Sequence, residues 1–208
     1  DYIYSHCLDY DNFLAIKDED HKKEEPFAVF IDEDQPFHED YNFLGIEPPC
    51  EPDIYYSEVN RFLDNFEKSF GIKVVIAGHP RANYKDRNPY GSRKIIQGMT
   101  HKLIQQCIQV IGHASTSFSY AVLFSKPITL LNSDNYHPRL SNSVSSFAKE
   151  LGIRDINLTN TFSLPSLPET NKDGYENYKR KYIKMMEESD ANKTSTQIFL
   201  DYLMRLNK

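Results

Sequence analysis

Two short stretches carry residue types suited to holding an anion. His113, Ser115, Thr116 and Ser117 lie in a small polar bend, 112–117, between the apolar run 108–111 and the helix-like run 118–124. An apolar run, a polar bend, then apolar residues three and four apart spell strand, turn and helix. At such a turn the first N–H groups of the helix lack intrahelical acceptors and the helix dipole adds partial positive charge. Main chain and hydroxyls would together grip a phosphate. Ser and Thr are also the ordinary N-caps of any helix, so a purely structural reading stands beside this one. The second stretch is His79-Pro80-Arg81, directly past the apolar run 72–77. From His79 through Lys102 there are six Lys or Arg and a single acid, Asp86. In an acidic chain such a cluster reads as an anion site, with a solvated basic loop as its bland counterpart.

A third candidate is Asp32-Glu33-Asp34, which follows the apolar run 27–31. Carboxylates just past a strand can serve as a general base, contact a sugar hydroxyl or hold a cation. The Asp-x-Asp spacing recurs at Asp9 and Asp11 and at Asp18 and Asp20, so as a metal signature it is unspecific. The expectation is an acidic, substrate-facing or solvated rim with no metal.

The elements that would position these residues alternate along the chain. Strands are expected at 27–31, 72–77, 108–111, 128–131 and 156–158, the first of them apolar on both faces, as a central strand of a parallel sheet would be. Helices are expected at 55–70, started near Ser57 and stopped by Gly71, then from Thr100 to 104, at 118–124, at 144–151 stopped by Gly152, and at 175–188 and 194–206. The reading is an α/β chain with a Rossmann-like, doubly wound parallel sheet. It divides into an acidic, loop-like leading segment, 1–26, a nucleotide-binding domain, 27–160, and C-terminal helices packing on it, 161–208. Every candidate residue then follows a strand and opens on the carboxyl edge of the sheet, where open α/β folds bind ligands.

Composition narrows the partners. Of 208 residues, 30 are acidic and 24 basic, for a net charge of -6, which argues against general nucleic-acid binding. The charge is uneven, because residues 1–60 hold 17 of the acids and only 3 of the bases. That asymmetry suits an acidic rim beside an anion-binding body. No apolar run reaches the length of a membrane span. The cysteines, Cys7, Cys50 and Cys107, are far apart and odd in number, which fits a reducing, cytoplasmic compartment. The chain begins at Asp1 in what reads as a polar loop, so a processed protein or a fragment is expected.

His79-Pro80 and Ser115-Thr116 resemble the His-Pro and Ser-Ser or Ser-Thr motifs of bacterial sialyltransferases and polysialyltransferases. The block 121–128, a helix end, then Lys126-Pro127, then a strand, is similar to the nucleotide-binding C-terminal half of GT-B glycosyltransferases of capsule and surface polysaccharide synthesis. The likeness covers about residues 27–158. It implies transfer of a sugar from a CMP-linked donor to a carbohydrate acceptor, with His79, Pro80 and Arg81, and His113, Ser115, Thr116 and Ser117, around the donor. It implies no cofactor and no divalent metal. His79, Asp32 and Glu33 are the catalytic candidates. The acid pair before Gly that supplies the base in those families has no equivalent here, and an N-terminal acceptor domain would have to come from outside this chain, which would also be the source of any peripheral attachment to the inner face of the membrane. Two other readings share the pattern: a CDP-polyol phosphotransferase and a non-catalytic nucleotide- or partner-binding module.

Overall fold

The structure, a computed structural model, describes residues 3, 5–19, 25–183 and 192–206. Its centre is one sheet of six parallel strands in the order β3-β2-β1-β4-β5-β6, formed by β1 (Phe27–Ile31), β2 (Lys73–Gly78), β3 (Ile95–Gln97), β4 (Gln109–Gly112), β5 (Ile128–Asn132) and β6 (Asp155–Asn157). The fold is therefore the expected Rossmann-like α/β class. β1, β4 and β5 are almost wholly buried, as strands covered on both faces must be. Helix α3 (Pro52–Phe70) joins β1 to β2, and α4 (Thr100–Gln106), α5 (Phe118–Leu123) and α6 (Pro138–Leu151) follow β3, β4 and β5. Right-handed crossovers place α3 on one face and α4, α5 and α6 on the other. Tyr55, Val59, Phe62, Leu63 and Phe66 of α3 are buried, a stripe with helical spacing.

The strand order reverses between β1 and β4, which pair through Val29↔Val110 and Phe30↔Ile111. There the connections leave in opposite directions and open a crevice past the carboxyl ends. β1 also pairs with β2, through Ile31↔Ala77.

Several elements differ from the sequence reading. The basic loop contains β3, which pairs with β2 through Ile76↔Ile95; three residues are too few for an alternation to show. The leading segment holds α1 (Leu8–Ile16) and is not simply a loop. Its residues lack a clear apolar stripe and are ordered by tertiary contact: Phe13 packs edge-on to Phe124 at 5.0 Å, and Asn12 donates to the Tyr120 hydroxyl at 2.8 Å. A further short helix, α2 (Glu39–Leu44), interrupts the acidic loop. α3 begins at Pro52, ahead of Ser57, because proline suits the first helical turn. α6 likewise starts at Pro138, behind a His137 cap, six residues before the expected start.

At the C-terminus α7 (Lys172–Tyr178) passes into a π-helical turn, Lys179–Ile183. Positions 184–188 of the expected helix lie outside the described residues. The last helix, α8 (Ser195–Leu206), is tied to α1 through the Ser195 N–H, which donates to Asp11 Oδ1 at 2.8 Å.

Candidate functional site

β1 ends at the switch point and the chain turns through residues 32–34. Asp32 is buried, and both its oxygens are used internally: Oδ1 accepts from the Asp34 N–H at 2.8 Å and Oδ2 from the Tyr84 hydroxyl at 2.7 Å. The same Tyr84 oxygen accepts from the His79 N–H at 2.9 Å, so one phenol braces the ends of β1 and β2. Gly78 makes room for it, since a Cβ there would stand 2.7 Å from the Tyr84 ring. Burial pushes the Asp32 carboxyl up, against the pull of its donors. The geometry makes Asp32 a brace, buried and bonded at each oxygen to the protein itself.

Glu33 is the carboxylate that faces the bend after β4, at Ser115. It is half-buried, and burial raises its carboxyl while the neighbouring Ser115 hydroxyl opposes the rise. Asp34 sits in the left-handed region at φ 48°, rare for a residue other than Gly. Its Oδ1 accepts from Arg87 Nη2 at 2.6 Å, and that guanidinium lies 4.1 Å over the Phe37 ring and donates to the Tyr56 hydroxyl at 3.0 Å. A positive φ held by a partly buried ion pair is the kind of local strain that clusters at functional sites.

His79 emerges from β2 half-buried, its ring 4.6 Å from that of His38. Its pKa is lowered, first by burial and then by His38 and Arg81, which favours the neutral imidazole. Arg81 is exposed and donates to Asp40 Oδ1 at 2.9 Å, with its Nη2 3.5 Å from His38 Nε2; Pro80 is exposed beside it. His38 thus belongs with His79 and Arg81. His38 belongs to no motif in the sequence, and its place seven residues past the end of β1 is the one signal it carries there.

The basic loop does not form one cationic patch. Arg81 pairs with Asp40, Arg87 with Asp34, Arg93 with Asp64 and Glu67, and Lys102 with Glu19. Only Lys85 and Lys94 of the six carry no ion pair among the described residues, and Lys94 precedes β3, hence at the amino edge. Insertion of β3 carries the second half of the loop away from the site.

The bend after β4 also departs from expectation. His113 is fully buried: its Nδ1 is 2.9 Å from the Leu131 carbonyl oxygen, its Nε2 has no partner, and Phe30, Tyr55 and Tyr136 surround the ring. Burial pushes its pKa down to about 4. Its side chain belongs to the core and does not reach a ligand. Ser115 Oγ accepts from the Ser117 N–H at 3.1 Å, while the N–H groups of Phe118, Ser119 and Tyr120 donate to the carbonyls of Ser115, Thr116 and Ser117 at 3.2, 3.0 and 3.1 Å. These tight i to i−3 bonds occupy donors that the cradle reading left free, and α5 spans only six residues. The Ser115 hydroxyl is itself buried and is turned toward Glu33, so what the bend supplies is a support for that carboxylate. Thr116 is exposed and opens into a different cleft, with α6 and Tyr178, and Ser117 is half-buried at the cap position without a side-chain cap bond.

Among the described residues no three of His, Cys, Asp and Glu converge as a metal site, and no helix is long and apolar enough to cross a membrane.

No family model matches the chain, and no curated protein matches it. Solved structures that match include the crystal structure of the glycotransferase of kitacinnamycin, 13% identical, with a TM-score of 0.44, over 91% of this chain and 46% of that one. The chain thus spans under half the length of that protein.

Proposed function

We propose that the chain is the donor-binding half of a glycosyltransferase, moving a sugar from a nucleotide-activated, CMP-linked donor to a hydroxyl of a carbohydrate acceptor in surface polysaccharide synthesis. The observation that carries this reading is the meeting of Glu33 and Ser115 across the switch point between β1 and β4, with His79 at the end of the adjoining strand. A carboxylate with a raised pKa, a hydroxyl that positions it and a neutral imidazole on one carboxyl edge supply a base and a donor for an anionic leaving group.

Glu33 takes the proton of the acceptor hydroxyl as its oxygen bonds to the anomeric carbon. The bond from that carbon to the phosphate oxygen breaks, and the electron pair leaves with the nucleotide. His79 donates a hydrogen bond to the growing phosphate charge, with Arg81 beside it, and the Ser115 hydroxyl holds Glu33 in place. Asp32 holds the ends of β1 and β2 in register through Tyr84 and touches no substrate. Hydrogen bonds from the protein stabilise the phosphate charge in this scheme, so it routes no step through a divalent metal. The acceptor half comes from outside this chain, and the reaction belongs in the cytoplasm, at the inner face of the membrane.

The test is a transfer assay on the full-length protein with CMP-linked and UDP-linked donors, with product analysis. Release of free nucleotide with the sugar on the acceptor supports the reading, and a phosphate carried into the product or no transfer at all overturns it.

A further inference from the structure

A second cleft, of about 440 Å³, lies away from the sheet edge, between the start of α1, the N-terminal end of α5, the middle of α6 and the segment after α7. Its size falls in the range of small-ligand sites. Phe147, Tyr178 and Tyr182 form an aromatic wall, with Phe147 and Tyr178 centroids 6.2 Å apart and Tyr178 and Tyr182 4.9 Å apart. Asp9 stands in the same cleft, half-buried, close enough to Tyr178 for its charge to raise that phenol's pKa, and flanked by the Ser119 and Tyr120 hydroxyls.

The charges here are unevenly matched. Glu150 is paired with Lys181 at 2.6 Å, and the same ammonium lies 4.9 Å over the Tyr182 ring. The rim therefore already holds one ammonium between a carboxylate and an aromatic face. Asp9 has aromatic neighbours as well, and its carboxylate accepts from the Ser119 and Tyr120 hydroxyls but carries no ion pair among the described residues, so neutral donors alone face its charge. An ammonium placed there would gain the Coulomb attraction and the ring quadrupole together.

We propose that this cleft binds a small organic ammonium, its charge at Asp9 and its apolar body against Phe147, Tyr178 and Tyr182. The site is separate from the Glu33 and His79 edge and does not depend on glycosyl transfer. It touches that region only through Thr116 and Ser119, which line it.

The test uses phenethylamine as the probe and 2-phenylethanol as its neutral counterpart, each titrated calorimetrically into the whole protein. Phenethylamine should bind at least about tenfold tighter than the alcohol, a difference of about 1.4 kcal/mol. Asp9→Asn should remove that preference, and Tyr182→Leu, a change at a partly exposed ring, should weaken the amine with the far-ultraviolet dichroism unchanged. Equal binding of amine and alcohol, an amine affinity untouched by both substitutions, or no binding of the amine to the wild-type protein overturns the proposal.

Discussion

The Tyr84 hydroxyl donates to Asp32 Oδ2 at 2.7 Å and ties a buried carboxylate at the end of β1 to a loop beyond β2. Because the same oxygen accepts the His79 N–H, the two strand ends that flank the proposed donor site are held by one side chain. Tyr84→Phe leaves a buried carboxylate oxygen and a backbone N–H without that partner. The expected loss is about 1–3 kcal/mol of stability, read as a lower midpoint in urea unfolding, and an unchanged midpoint would remove Tyr84 as the brace.

Gly78 is required by that arrangement. Its positions for a Cβ lie 2.7 Å from Tyr84 Cε2 and 2.8 Å from Ile95 Cγ2, too close for both neighbours to stay. Gly78→Ala should destabilise by about 1–3 kcal/mol. Combined with Tyr84→Phe the cost should be less than the sum of the two, because each change disturbs the same contact. Strict additivity of the two midpoint shifts would place the damage elsewhere.

The buried His113 sets a pH dependence. Its pKa in the folded chain, about 4, lies below the ordinary 6.5, so the unfolded chain takes up the proton first as pH falls. Stability from keeping His113 neutral is fully present above pH 6.5, declines below it and is gone below about 4, a loss of roughly 3 kcal/mol. Asp32 and Glu33 have raised pKa values and act in the opposite sense, their protonation easing the fold as pH falls. Comparing the wild type with His113→Phe isolates the histidine: the wild type should lose more stability between pH 7 and pH 4. Parallel profiles would contradict a neutral core imidazole.

Glu33 and His79 should separate chemistry from binding. Glu33→Gln keeps the size and the contact with Ser115 but removes the base, so transfer should fall by about 10²–10⁴-fold with nucleotide affinity retained. His79→Ala should weaken nucleotide binding itself. The raised Glu33 carboxyl further predicts that transfer falls as pH drops through its pKa, and that this acid limb is absent in Glu33→Gln. A Glu33→Gln variant that turns over normally would place the base elsewhere.

The architecture was legible where burial on both faces writes continuous apolar runs, as in 27–31 and 108–111, and where Gly71 and Gly152 stop helices in the left-handed conformation. It was hidden where tertiary contact does the ordering. α1 has no apolar stripe of its own, and β3 is a three-residue edge strand inside a run of cations. The same causes governed the site. The positions of Glu33, His79 and Ser115 after strands could be read, because strand ends and topology fix them. The partners could not: Arg87 and Arg93 look like free cations in a loop until Asp34, Asp64 and Glu67 are brought to them from α3 and the end of β1. His113 looks like a ligand beside Ser115 until the pleat turns it inward against Tyr55 and Tyr136.

The proposed nucleotide site lies on the carboxyl edge between β1, β2 and β4. Titration of CMP and of UDP into the isotope-labelled protein, followed by amide chemical shifts, tests it most directly. Shifts should concentrate at residues 32–34, 79–81 and 115–117, and be lost in His79→Ala with the remaining spectrum intact. Shifts confined to other parts of the chain, or none with either nucleotide, would contradict it.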